Sequence, residues 1–245
     1  MPFIIPDFLP ALPEMVLLGA LCVVLVADLF VSDERRVVTY WLAMAALLAT
    51  VVAVFQASPE ARQLTFSGSY VSDSLSTVLK FASTLCLGLV FVYSRDYLMR
   101  EGLRKGEFYL LSLFGLLGIF VMISANSLLT LYLGLEMLSL SLYALVAFDR
   151  DSKLCAEAAM KYFVLGAIAS GTFLYGVSLI YGVTGTIQLD GLSAALIMRG
   201  SDDIALWFGL AFLVVGIAFK FGAVPFHMWL PDVYQGARPP ITNPD

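Results

Sequence analysis

Apolar runs of about 18 to 30 residues recur along this 245-residue chain, long enough to cross a hydrocarbon core of about 30 Å as helices. A water-soluble core would break such runs sooner. Soluble domains carry about 25% charged residues, whereas this chain has 13% charged and 60% hydrophobic residues, with a mean hydropathy of +0.89. The expected fold is all-α, a polytopic transmembrane helix bundle with about seven spanning helices lodged in a lipid bilayer.

The runs place spans at Met15–Val31, Val37–Ala57, Leu75–Tyr93, Phe108–Ala125, Ser127–Phe148, Leu154–Thr184 and Ile204–Val224. The fourth and fifth are joined only around Ser124 to Ser127, too short a link to recross a bilayer, so they form an antiparallel hairpin. The sixth exceeds what an upright helix needs, which implies tilt or a projecting end. Its Gly166, Ser170, Gly171 and Gly176 offer a close-packing face.

A net charge of -5, with few Lys and Arg, leaves no basic surface and sets nucleic-acid binding aside. Cys22, Cys86 and Cys155 lack CxxC spacing and read as small buried hydrophobes. Asp7 and Glu14 stand where a signal peptide would carry Lys or Arg, so the first run is expected to be a retained helix and the chain to start near Met1. Arg35, Arg36, Arg95, Arg100, Arg104, Lys105, Arg150, Lys153 and Arg238 follow spans one, three, five and seven; Arg62 and Arg199 fall on the opposite side. Nine against two orients the N-terminus outside and the C-terminus in the cytoplasm.

Several charges stand inside the spans, where each costs about 2.5 to 3.5 kcal/mol on insertion scales. Glu136 lies near the centre of LTLYLGLEMLSLSLYALVAF, too deep and too short to reach water. Lys220 lies close to the cytoplasmic end of its span. Glu157 and Lys161 are four apart with the acid first, the favourable order for a pair on one helix face. They suit either a structural ion pair or a proton relay. Lys80 is near enough to an end to snorkel outward, and Asp28 reads as interfacial. Desolvation raises a carboxyl pKa and lowers an amine pKa, while an opposite charge does the reverse, so such groups can be tuned to exchange protons.

Proline at position 225 cannot donate its backbone N–H and clashes with the carbonyl of Phe221, and Gly222 softens the same stretch. The seventh span is therefore expected to be interrupted near Pro225, beside Lys220, unless it simply ends at Val224. Interrupted spans are where transporters place ion sites. His227, the single histidine, suits either a proton relay or a headgroup-level anchor beside Trp229, and Asp232 either caps or closes the loop. No clustered acids or second histidine supply metal-ligand geometry.

Three stretches, YLGLEMLSLSLYALVAF, EAAMKYFVLGAIASG with LYGVSLIYGVTGT, and FKFGAVPFHMWLPDVYQGA, resemble the antiporter-like membrane-arm subunits of respiratory NADH:quinone oxidoreductase, complex I. SLSLYALVAF and EAAMKYF are most similar to its subunit N. The likeness covers nearly the whole chain and is most specific from Tyr132 to Ala237. It implies a bacterial inner-membrane subunit, part of a translocase, that moves protons while other subunits pass electrons from NADH to quinone. By motif, Glu136 corresponds to the glutamate of the fifth helix, Lys220 to the lysine of the broken seventh, and Lys161 to the sixth-helix lysine beside Glu157. NADH, flavin, iron-sulfur clusters and quinone would belong to the parent complex, with none bound by this chain, and the partners would be other membrane-arm subunits.

The resemblance divides the chain into an N-terminal three-helix segment, 1–106, an antiporter-like first half, 107–236, and a tail, 237–245. Family members continue from GAPTPVT into an eighth helix with a further lysine. Here the sequence reads GARPPITNPD, with Arg238 and Pro239 out of pattern, so an incomplete first half is expected. Three other readings stand beside this one: a subunit of a multisubunit cation/proton antiporter, a truncated inert product, and a retinal photoreceptor. The last is disfavoured by Lys80 standing where a carboxylate counter-ion is needed.

Overall fold

The structure, a computed structural model, describes residues 6–32, 36–100, 106–199 and 203–237. The tail from Arg238 onward lies outside the described residues, as do Arg35, Arg104 and Lys105. The seven apolar runs are seven helices. Five are long and apolar enough to cross a membrane, and two shorter apolar helices, Glu107–Ile123 and Ile204–Lys220, complete the set. The chain divides into two compact units, one of residues up to Ala125 with Leu133–Leu145, the other of Asn126–Tyr132 and residues from Val146 on.

In the first unit a 3-10 turn, Leu9–Ala11, feeds α1, Leu12–Phe30. Proline in its first turn loses nothing, because that N–H has no helical partner in any case. Leu17, Leu21 and Val24 recur at helical spacing and are buried. They face inward as α1 packs on α2, Val37–Gln56, and on α4, Glu107–Ile123, while α3, Ser74–Arg100, packs on α2 and α4. Helix α3 runs beyond the predicted end at Tyr93. Its last turns are more polar but still useful: Ser94 and Leu98 are buried, and the Arg95 guanidinium lies 4.8 Å from the centroid of the Tyr40 ring. Asp28 at the end of α1 accepts from Thr39 and pairs with Arg36 at 3.3 Å.

Between α2 and α3 the chain forms a feature absent from the sequence reading, a β-hairpin of β1, Gln63–Thr65, and β2, Tyr70–Ser72, with Thr65 opposite Tyr70. Its tight turn takes positive φ at Phe66, Ser67 and Gly68. The far edge of β2 is also used, since Val71 N donates to the Ser124 carbonyl at 2.8 Å. The predicted hairpin of helices is present. Helix α5, Leu128–Val146, approaches α4 so closely that a Cβ at Gly118 would stand 2.7 Å from Leu138 N and one at Gly134 2.8 Å from Gly118 O.

In the second unit α6, Lys153–Thr184, starts on a Ser152 cap that accepts from Cys155 N and stops at left-handed Gly185. Helix α8, Ile204–Lys220, crosses it at Gly176, where a Cβ would lie 2.7 Å from both Gly209 O and Leu213 N. Gly166 and Ser170 are buried as expected, but Gly171 points elsewhere, with nothing within 4 Å of an added Cβ. One residue along a helix turns the side chain by about 100°. Two short helices were not anticipated: α7, Leu189–Arg199, and α9, Trp229–Gly236. The segment entering α7 is tied to residues 126–128 by Leu128 N to Ile187 O, Leu189 N to Asn126 O and Asn126 Nδ2 to Asp190 Oδ2, at 2.9 to 3.0 Å.

A Gly176→Leu substitution is expected to destabilise the second unit by about 1–3 kcal/mol through overpacking, and Gly171→Leu far less, as measured by the detergent-induced unfolding midpoint of each variant.

Candidate functional site

The break in the seventh span is built from the end of α8. Helical bonding stops at Lys220, and Gly222 takes φ +63°, a left-handed conformation that glycine reaches without strain. The last carbonyls are met by bonds spanning four, three and five residues, Phe221 N to Ile217 O, Gly222 N to Phe219 O and Ala223 N to Ala218 O, at 2.8 to 3.0 Å. Pro225 therefore sits in the turn after the break rather than forcing it from within a helix. The chain resumes helical form at Trp229. Of the two possibilities the sequence left open, the structure has an interrupted element: Lys220 is the last residue of one helix and α9 begins at Trp229, after eight intervening residues. A recess of about 230 Å³ opens beside the turn, lined by Thr172, Phe219, Pro225, Met228 and Trp229 among others.

Trp229 joins these pieces. Its ring stacks on Tyr162 of α6 at 4.4 Å and 9°, leans on Phe219 at 5.5 Å, and its Nε1 donates to the Phe219 carbonyl at 3.2 Å. Seated this way, α9 brings Asp232 to α6. Lys161 Nζ lies 3.0 Å from Glu157 Oε1 and 3.1 Å from Asp232 Oδ2. The predicted Glu157–Lys161 pair is thus a trio, and Asp232 completes it instead of only closing the loop. The three side chains are 46 to 64% exposed, and ion pairs so open to solvent add little to stability.

The remaining sequence candidates lie on separate elements. Lys220 is half-buried at the end of α8, and His227 is exposed on the turn before α9, its carbonyl accepting from Leu230 N at 3.0 Å. Glu136 is half-buried on α5, within the first unit. Among the described residues no group of three or more His, Cys, Asp or Glu forms a possible metal set.

A second charged cluster, in the first unit, was not assembled by sequence reasoning. Lys80 does not snorkel: it is 2% exposed, with Nζ 2.7 Å from Glu14 Oε1 and donating to the Tyr70 hydroxyl at 2.9 Å. The Tyr70 hydroxyl has two acceptors at 2.9 Å, Glu14 Oε2 and the Pro10 carbonyl. The Lys80 ammonium also lies 5.2 Å from the Tyr70 ring centroid and 5.7 Å from that of Phe120. Burial first, and then the Glu14 charge, pushes the Tyr70 phenol well above its ordinary value, keeping it protonated. The available signal was Glu14 itself, an acid at the head of an apolar run.

Comparison with known proteins fits this architecture. Residues 125–243 match the family described as "NADH:quinone oxidoreductase/Mrp antiporter, TM". The NADH-quinone oxidoreductase subunit N of Thioalkalivibrio sulfidiphilus (strain HL-EbGR7) is 54% identical over 244 residues, 99% of this chain and 51% of that protein. A chain in the structure of respiratory complex I from Thermus thermophilus with bound aureothin superposes with a TM-score of 0.72 at 29% identity, covering 92% of this chain and 47% of that one. A chain of the membrane-bound sulfane sulfur reductase, an archaeal respiratory membrane complex, gives 0.75 at 27%, over 96% and 49%. The fold is shared with chains of these respiratory membrane complexes. The chain is a multi-pass membrane protein similar to curated NADH-quinone oxidoreductase subunit N proteins, and it spans about half the length of the relatives it matches.

Trp229→Ala is expected to cost about 3–5 kcal/mol, as for large aromatic truncations, and to free α9. Faster modification of Lys161 by an amine-directed reagent, followed by mass spectrometry, would report the lost Asp232 contact.

Proposed function

We propose that this chain is part of a proton-translocating subunit of NADH:quinone oxidoreductase in a bacterial inner membrane, its N-terminus outside and its C-terminal end cytoplasmic. The observation that carries this reading is the Lys161 ammonium shared between Glu157 on α6 and Asp232 on the helix that resumes after the break. One strand of chain links Asp232 back to Lys220, so a change of charge at the break and a change of partner at Lys161 are mechanically connected. Lysine can give up its proton when desolvated, and a carboxylate beside it opposes that loss. Moving Asp232 away while Glu157 stays therefore weakens the hold of Lys161 on its proton.

In this account Glu136, Lys220, Lys161, Glu157 and His227 hold and pass the protons. Glu136 carries its charge within a span, where only protein or internal water can solvate it. Residues 107–236 provide the antiporter-like half and residues 1–106 the three-helix segment. NADH, flavin, iron-sulfur clusters and quinone reside in other subunits, with no cofactor on this chain, and the other membrane-arm subunits are its lateral partners. Coupling to their redox chemistry then enters through the charges on its helices.

A second reading, a subunit of a cation/proton antiporter, draws on the matched family, whose description also names an Mrp antiporter. Purification separates the two: recovery with peripheral redox subunits supports the first, and cation-dependent pH changes in vesicles without them support the second. For the first, Glu136→Gln and Lys220→Ala in the assembled complex are each expected to slow NADH-driven proton uptake about tenfold or more, the effect of about 1.4 kcal/mol on a barrier. Uptake at the wild-type rate in both variants would overturn the proposal.

A further inference from the structure

We infer that Glu14, Tyr70 and Lys80 form a second proton-exchange site, separate from the residues assigned above, in which the Tyr70 hydroxyl bridges the lysine amine and the glutamate carboxylate. The inference rests on the proton-translocating reading of the chain.

The geometry favours a bridge over a direct transfer. Lys80 Nζ and Glu14 Oε1 are 2.7 Å apart, but among the described residues Oε1 accepts no well-aligned hydrogen bond. The aligned contacts run through Tyr70: Nζ donates to the hydroxyl oxygen at 2.9 Å, and the hydroxyl donates to Glu14 Oε2 at 2.9 Å. In the exchange, an Nζ–H bond breaks and a Tyr70 O–H bond forms while the original Tyr70 O–H bond breaks and an Oε2–H bond forms. Ammonium and carboxylate become amine and carboxylic acid, with no net change in charge and no other reactant. The Pro10 carbonyl, 2.9 Å from the same hydroxyl, can accept a hydrogen bond from the new Tyr70 O–H while Oε2–H donates back to the phenol oxygen.

Burial makes both forms accessible. Lys80 is 2% and Glu14 9% exposed, and desolvating two charges offsets most of what their attraction supplies. A pair retained at such cost contributes little net stability, and its neutral form escapes the desolvation penalty. The rings of Tyr70 and Phe120 near Nζ stabilise the ammonium, and Asp73 at the start of α3 adds a further negative charge that acts on it. The bridge is held from outside the helices: β2 pairs with β1 through Thr65 and Tyr70, and Val71 N is bonded to the Ser124 carbonyl at the end of α4.

Tyr70→Phe and the charge-free double variant Glu14→Gln/Lys80→Met test this in the assembled complex, with Glu136→Gln in parallel. Tyr70→Phe keeps the ion pair and is expected to assemble at the wild-type level but to lower protons moved per NADH oxidised. The double variant removes both charges without leaving either unpaired, so it is expected to restore assembly relative to Lys80→Met alone but not proton uptake. NADH-driven infrared difference spectra should contain a protonated-carboxyl band that the double variant lacks. If Tyr70→Phe pumps as wild type and that band persists in the double variant, the inference is overturned, and Tyr70→Phe pumping alone decides it should the double variant not assemble. Wild-type pumping by Glu136→Gln would instead sink the translocating reading itself.

Discussion

Every peptide N–H and C=O in a spanning segment has to find its partner within the protein, because hydrocarbon offers none. Helices in this chain accordingly run until something local stops them. Ser152 and Asp203 cap the starts of α6 and α8, and left-handed Gly185 ends α6. The break after Lys220 obeys the same rule: each freed amide is taken up by a tight bond to a carbonyl three to five residues back. A lysine at such a break stands beside carbonyls with spare acceptor capacity, a polar setting inside an apolar structure.

Where lipid competes with apolar side chains on equal terms, helices associate through close backbone approach rather than through hydrophobic exclusion. The Gly118–Gly134 and Gly176–Gly209 crossings supply it, one in each unit. These contacts fix two α-helical pairs at short separation and leave the aromatic residues to fill the wider spaces, as Tyr132 on Phe173 and Tyr175 on Phe212 do.

The helices were legible because the membrane imposes a length on each apolar run, so spans such as Val37–Ala57 and Leu154–Thr184 end within a residue of α2 and α6. The β-hairpin, α7 and α9 carry no such length rule; they are short and lean on other parts of the chain for their hydrogen bonds and packing. The Glu157–Lys161 contact could be read from helical spacing, whereas its third member could not, since Asp232 reaches α6 only through the Trp229 stack. Lys80 was misread for the same reason. Its partners arrive from α1 and β2, and a residue's distance from a helix end says nothing about an acid delivered by another element.

The indole of Trp229 acts as a pin through three parts at once, one face on Tyr162, its ring against Phe219 and its N–H on the Phe219 carbonyl in the last turn of α8. Asp232 rides on the helix that this pin secures. Letting go of Lys161 then requires either a rotation of one short side chain or the withdrawal of the whole indole, two motions of very different size. Small adjustments of the carboxylate are cheap and reversible, while full departure of α9 is all-or-none, giving the junction the behaviour of a detent rather than of a loose hinge.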